Sequence, residues 1–378
     1  MELSFVPSER ASVGVEWELQ LVDLDTRELS SVASQVLEAI RPAGEATHPR
    51  AKHELFECTV EVITGVCQTV EEALDDLRAT VGTVQAAAAD HGVGLICAGT
   101  HPFTDYSTQR VSPNPRYAEL VDHLQWLGRR LTIFGVHVHV GVRSQPKIIP
   151  MVNALSEYVP HLLALSASSP FRQGYDTGLA SARSKVFDVL PKAGLPERFA
   201  SWSEFDTYLR AMVAAGTIET IRDVWWDVRP HPDFGTVEIR ACDGLPTYDE
   251  VAAVAALCQC LVERFDRAFD QGYTLPTPQG WLVRENKWRA ARYGLDADII
   301  VDARGDVVPL KLAISDLVED LMPTARRLGC AAELGGVERI LAVGGSASRQ
   351  RAVAQAHDGD LTKVVDALLA EMRDGLCP

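Results

Sequence analysis

Two carboxylates set two residues apart open the chemistry of this chain. In Val13-Gly14-Val15-Glu16-Trp17-Glu18-Leu19-Gln20-Leu21 apolar and polar residues alternate without a break, the period of a strand with one dry face. Glu16 and Glu18 then project from one side, roughly 7 Å apart. Carboxylates that close must be solvated, share a proton or be neutralised by a metal ion. A surface strand with a wet face is the plain alternative, and this stretch alone does not decide.

The same arrangement recurs three times. Over residues 54–63, Glu57, Thr59 and Glu61 share one face and Phe56, Cys58, Val60 and Val62 the other. In Gly135–Gly141, His137 and His139 oppose three valines, and within 225–243 Thr236, Glu238 and Arg240 oppose Val237, Ile239 and Ala241. If these faces line one cleft, Glu16, Glu18, Glu57, Glu61, His139 and Glu238 make a hard-cation site. Carboxylates with one or two imidazoles suit Mg²⁺ or Mn²⁺, whereas zinc favours more His and Cys. A merely solvated face would mix in lysine, and the chain has only seven. His-Val-His by itself is also a spacing of zinc hydrolases, so a metal-dependent amidohydrolase built on His137 and His139 is a competing expectation. Arg183, Arg229 and Arg240 have the chemistry to grip phosphate or carboxylate in bidentate fashion; each is equally compatible with an ion-paired arginine, and Arg183 reads as a loop residue. No glycine-rich phosphate loop and no Ser-His-Asp or Cys-His set is present.

Composition narrows the class. The 378 residues carry 36 basic and 52 acidic side chains, a net charge of −16, with no basic block, which argues against nucleic acid or an anionic membrane as partner. The eight cysteines (58, 67, 97, 242, 258, 260, 330, 377) form no CxxC pair and read as reduced, structural thiols. No charged-then-apolar leader opens the chain, and the longest apolar run, near 251–262, is too short to span a bilayer. The expectation is a cytoplasmic protein.

The elements that must position these groups are legible in outline. A short helix is predicted over 31–41. Thr69/Glu72, Ser201/Glu204 and Thr247/Glu250 are capping-box spacings that open helices, the first ending near His91-Gly92 and the third near Gly272. Residues 93–98 read as a buried strand. Asn114-Pro115 starts a helix with Leu120, Leu124, Leu127, Leu131 and Phe134 in line, and helical material broken by Pro150 and Pro160 runs to about 167. From Trp281 onward the chain reads as helices. Strands and helices alternate without a regular βαβ rhythm, so the fold class is α+β with a largely antiparallel sheet carrying one polar face.

Five motifs carry a resemblance: Gly14-Val-Glu-Trp-Glu, Gly99-Thr-His-Pro-Phe, Phe134-Gly-Val-His-Val-His-Val-Gly, Ala180-Ser-Ala-Arg-Ser-Lys-Val-Phe and Trp226-Asp-Val-Arg-Pro-His-Pro-Asp-Phe-Gly-Thr-Val-Glu-Ile-Arg. Together, and in order from residue 12 to at least Leu295, they resemble the YbdK-type carboxylate–amine ligases, the glutamate–cysteine ligase 2 family of the glutamine synthetase-like superfamily. The resemblance implies a curved antiparallel sheet with helices on its outer side, one ligase domain over 1–378 with a mostly helical part at 281–378, and a concave face holding ATP and divalent ions. It implies an ATP-dependent reaction through an acyl phosphate that joins glutamate, or a similar acid, to a small amine, with weak activity toward cysteine. Carried over by position, Glu16, Glu18, Glu57, Glu61, His139 and Glu238 are the implied metal ligands and Arg229 the implied contact to the ATP phosphates. Arg240 is implied to hold the acyl phosphate or substrate carboxylate, and Arg183 to touch nucleotide or substrate. His137 is shared with the family and is given no role beyond the site wall. A homodimer is implied, and a non-catalytic ATP or amino-acid sensor is the second competing expectation.

Overall fold

A computed structural model describes residues 4–375. Its centre is a seven-stranded sheet formed by β1 (Val13–Asp23), β2 (Ala51–His53), β3 (Thr59–Ile63), β4 (Val93–Ile96), β5 (Gly135–Gly141), β6 (Val228–His231) and β7 (Thr236–Asp243). The order is β6-β7-β5-β1-β3-β2, with β4 paired to the far end of β1. Every pairing in this sheet is antiparallel.

One face of the sheet is dry. Val13, Val15, Trp17, Leu19 and Leu21 are all buried, as are Val136, Val138, Val140, Val237 and Ile239. They share a core with the helices Val70–Ala89, Gln145–Leu155 and Tyr248–Asp270. The last of these is apolar on nearly every side because further helices, Leu310–Leu328 and Ala331–Val343, cover it from outside. Its small side chains permit close approach: a Cβ at Gly336 would lie 3.2 Å from that of Ala253. Capping follows the expected residues, with Thr69, Ser201 and Thr247 accepting from the backbone N–H of Glu72, Glu204 and Glu250. The C-terminal helix Leu361–Asp374 returns to β4, where Gly94 leaves room for Leu369.

Several local expectations change. The segment 54–63 is a strand only from Thr59, because a turn at Glu57-Cys58 interrupts the alternation. The helix opened by Pro115 stops at Leu124, where Gln125 takes φ +50°, and a short turn of helix follows at Trp126–Arg129. Arg183 is not in a loop but in the helix Ala182–Phe187, capped by Ser181. A hairpin, Asp298–Ile300 with Val307–Pro309, interrupts the helical C-terminal part. Gln145–Ser166, rather than 251–262, has the length and apolarity of a membrane-crossing helix, but 72% of its apolar window is buried inside the protein. Seven cysteines are free and buried; Cys377 lies outside the described residues.

Trp17 pins the sheet to the helical layer. Its indole N–H donates to the Leu245 carbonyl at 3.1 Å, and its ring meets that of Tyr248 edge-on at 5.2 Å. Trp17→Ala is expected to cost about 3–5 kcal/mol in a denaturant titration; a loss below 1 kcal/mol would contradict this packing.

Candidate active site

Antiparallel register, more than any single residue, builds the site. Glu18 on β1 lies opposite Glu61 on β3, which lies opposite Lys52 on β2. Glu16 lies opposite His137 on β5. His139 faces Glu238 on β7, which faces Arg229 on β6. Side chains at paired positions share a face, so the polar groups fall into transverse rows on the side away from the core. A bulge between Ile239 and Cys242 sets Arg240 beside the middle row, where its guanidinium contacts the Glu238 carboxylate and approaches His137 Nδ1 at 3.5 Å. This face floors a cavity of about 1010 Å³, lined by Glu16, Glu18, Glu61, His139, Glu238 and all three candidate arginines.

Two triads within the cavity have donor atoms within 4.8 Å of one another: Glu16, His137 and Glu238, and Glu18, Glu61 and His137. His137, given only a wall position by the sequence, belongs to both. Its Nδ1 lies 3.1 Å from Glu16 Oε2. His139 is placed by Thr236 at 3.1 Å through Nδ1, and its buried Nε2 has no hydrogen-bond partner while lying 3.4 Å from Glu16 and 3.9 Å from Glu238. An imidazole nitrogen left without a partner among carboxylates is the donor a cation would take.

Glu57 is not brought to this face. The turn that ends the alternation aims its carboxylate at Ser34, whose hydroxyl donates at 2.6 Å and whose N–H donates at 3.2 Å, with His53 Nε2 at 3.7 Å. Glu54 lines the cavity instead. Alternation counted back from Glu61 selects Glu57; no signal in the spacing reveals the turn. Lys52, the ion partner of Glu61 at 2.9 Å, and Tyr117, whose hydroxyl donates to the His53 carbonyl at 3.0 Å, are cavity residues the sequence did not single out.

The arginines differ in how much of their hydrogen bonding is already used. Arg229 donates through Nε to Glu238 at 2.8 Å, with Nη2 at 2.7 Å, and through Nη1 to the carbonyls of Ile221, Arg222 and Val224. It therefore locks Glu238 and the 221–224 turn in place. Arg240 keeps a buried Nε without a partner, a donor still open to an anion. Trp226 and Val228 are held nearby through the Asp227 carboxylate, which accepts from Lys287 at 2.7 Å while Lys287 also bonds Asp188 at 2.6 Å.

Protonation follows from crowding. Burial, reinforced by the Glu54 charge, pushes the Glu18 carboxyl up to about 8. Burial and the Glu16 charge push Glu61 well above the usual range, and burial raises Glu54. Burial also acts to raise Glu16 and Glu238. The hydrogen bond from His137 and the nearby imidazole of His139 outweigh it at Glu16, and the charges of Arg229 and Arg240 outweigh it at Glu238, holding both well below the carboxylate norm. Burial and the Arg240 charge lower His137 to about 4. The face thus holds more carboxylates than its own cations can neutralise, and a divalent cation would reverse the shifts at Glu18 and Glu61.

Comparison with known proteins agrees with this architecture. The profile of glutamate-cysteine ligase family 2 matches residues 12–367. A protein of Frankia alni, provisionally named glutamate–cysteine ligase 2-1, is 59% identical over 376 residues, covering 99% of this chain and 98% of its own. Relatives from Thermobifida fusca and Mycobacterium ulcerans, provisionally named glutamate–cysteine ligase 2, are 53% and 50% identical, covering 99% and 98% of this chain and 94% and 93% of their own. Among solved structures, a Francisella tularensis glutamate–cysteine ligase in complex with AMP superposes with a TM-score of 0.70 at 12% identity, covering 96% of this chain and 89% of its own. A bifunctional glutathione synthetase from Pasteurella multocida gives 0.68 at 15%, covering 96% and 52%. These likenesses show the fold. The chain belongs to glutamate-cysteine ligase family 2.

A raised carboxyl pKa favours the folded state only while the group is protonated, and the benefit is lost as pH climbs from the unfolded value of 4.5 to about 8. Above pH 6.5 the depressed His137 is neutral in the folded state and less than half protonated in the unfolded one, so it opposes this trend less and less as pH rises. Stability of the metal-free protein is therefore expected to fall between pH 6.5 and 8.5 in thermal melts. Glu18→Gln should flatten the slope, and Mg²⁺ should remove it with release of protons detectable by calorimetry in two buffers. A metal-free protein as stable at pH 8.5 as at 6.5 would contradict the crowding.

Proposed function

We propose that residues 1–378 form one ATP-dependent carboxylate–amine ligase domain whose acidic sheet face holds Mg²⁺ or Mn²⁺. It joins glutamate, or a similar acid, to a small amine such as cysteine through an acyl phosphate. The observation that carries this reading is the pair of carboxylate–imidazole triads sharing His137, with Arg229 and Arg240 at their edge. The family's name, the names of the relatives and the AMP bound to the Francisella neighbour support the ligase and nucleotide halves. Seven buried free thiols suit a reducing cytoplasm.

Glu16, Glu238, His137 and His139 would hold one cation, and Glu18 and Glu61 another; when bound, such ions would neutralise negative charge during transfer. The chain's own groups do the rest. A substrate carboxylate oxygen attacks the γ-phosphorus, and the bond to ADP breaks with the electron pair leaving on ADP. Arg240, oriented by Glu238, presents its free Nε–H to the charge on the transferred group. Arg229 acts by fixing Glu238. The amine nitrogen then attacks the acyl carbon, phosphate departs with the C–O electron pair, and the nitrogen sheds a proton. A zinc amidohydrolase fits this face poorly, because its two imidazoles stand among carboxylates that favour a harder ion.

Glu16→Gln and Glu238→Gln should each lower ADP release that depends on both acid and amine by about 10³-fold, with the far-ultraviolet circular dichroism unchanged. Full activity in either variant would overturn the cation assignment. Hydrolysis without nucleotide would favour the amidohydrolase, and ATP binding without turnover on any acid–amine pair would favour a sensor.

A further inference from the structure

We propose that Lys287, which lies outside the cavity, is a positioning residue for the transfer: its buried ammonium fixes Arg240 through Asp227. This rests on the ligase reading above. Among the described residues, those lining the cavity fall between Ser8 and Arg240, so the helix Gly280–Tyr293 serves the site by what it holds. Lys287 on that helix is 4% exposed. Its Nζ donates to Asp227 Oδ2 at 2.7 Å and to Asp188 Oδ1 at 2.6 Å. Both carboxylates belong to the cavity wall: Asp188 follows Phe187, and Asp227 stands between Trp225 and Arg229, all three neighbours being lining residues.

Asp227 is the link to the reacting end. Its side chain is buried and its backbone is tied on both sides, the N–H donating to the Gly194 carbonyl at 2.7 Å and the carbonyl accepting from the Arg240 N–H at 2.8 Å. The bulge between Ile239 and Cys242 takes Arg240 out of register with β5. The Asp227 carbonyl is therefore the partner that sets the Arg240 N–H, and with it the direction of the buried Nε that has no partner of its own.

The ammonium is itself firmly placed. Asp188 accepts from Lys185 through its other oxygen at 2.6 Å, so two ammonium groups and two carboxylates balance. The same helix grips the wall again further along: the Ala291 carbonyl accepts from the N–H groups of Ala180 and Ser181, both at 2.9 Å, and Arg292 donates to the Gly178 carbonyl. A buried carboxylate stripped of its ammonium is left uncompensated, and it must turn, take up water or take up a proton. The backbone that bears it moves with it. A shift of about 1 Å at a donor that meets transition-state charge costs about 10²-fold in rate. Lys287 thus serves the reaction without touching it.

The test uses the full chain and two readouts. In the nitrogen-15 spectrum of the arginine side chains, the Arg240 Nε–H signal is the one lost in Arg240→Gln. Lys287→Met should shift that signal and leave the Nε–H of Arg10, which donates to Glu263 at 2.7 Å, in place. In ADP release that depends on acid and amine, Lys287→Met should lower kcat by about 10²-fold, with the KM values for ATP and acid within about threefold of wild type. Lys287→Arg keeps the charge and should recover most of the loss. Added to Arg240→Gln, Lys287→Met should cost less than about threefold more, because both changes remove one and the same interaction. If Lys287→Met does not fold, Asp227→Asn replaces a charged acceptor with a neutral one, and should move the same signal with a loss of about tenfold in kcat. An unmoved Arg240 signal, a wild-type kcat in both Lys287→Met and Asp227→Asn, or an equal loss with and without Arg240 would overturn the proposal. A moved signal in a protein that turns over no acid–amine pair would uphold the positioning and overturn the ligase reading alone.

Discussion

The register of β1 between β3 and β5 is the constraint on which the rest depends. Glu18 opposite Glu61 and Glu16 opposite His137 follow from the same pairing that turns Val13, Val15, Trp17, Leu19 and Leu21 inward. A slip by one residue would send Trp17 into the cavity and both carboxylates into the core. The dry face thus enforces the wet one. Burial of the valines and of Trp17 against the helices selects one register, and that register assembles the rows of carboxylate, imidazole and guanidinium.

Such an assembly is unfavourable by itself. The carboxylates of Glu16, Glu18, Glu54, Glu61 and Glu238 are among those that line one cavity, and like charges at close separation raise one another's pKa. The protein meets the strain unevenly. Around Glu238 two arginines compensate the charge, whereas around Glu18 and Glu61 Lys52 and the N–H of Gly135 are the compensating contacts. One end of the face therefore sets arginine donors beside its candidate cation ligands, and the other is the more acidic. A ligase that brings a polyphosphate and its metal ions to one acid needs that asymmetry.

Much of this was readable from periodicity. Unbroken alternation in β1, β5 and β7 placed Glu16, Glu18, His137, His139, Glu238 and Arg240 on the polar face, and the structure brings these together with Glu61. The failure at Glu57 has a physical source. The turn at Glu57-Cys58 is held by contacts distant in sequence, with the Ala33 N–H donating to the Glu57 carbonyl and the Glu57 N–H donating to that of Arg110, and no local pattern records them. Arg183 was misplaced in a loop for a related reason: its helix is six residues long, too short to show a period.

Diffraction from crystals grown with Mn²⁺ and a non-hydrolysable ATP analogue, recorded at the manganese edge, tests the central claim most directly. Anomalous peaks within bonding distance of Glu16, Glu238 and a β5 histidine, and of Glu18 and Glu61, are the predicted result. Nucleotide bound with manganese elsewhere, or no manganese on the polar face of the sheet, would contradict it.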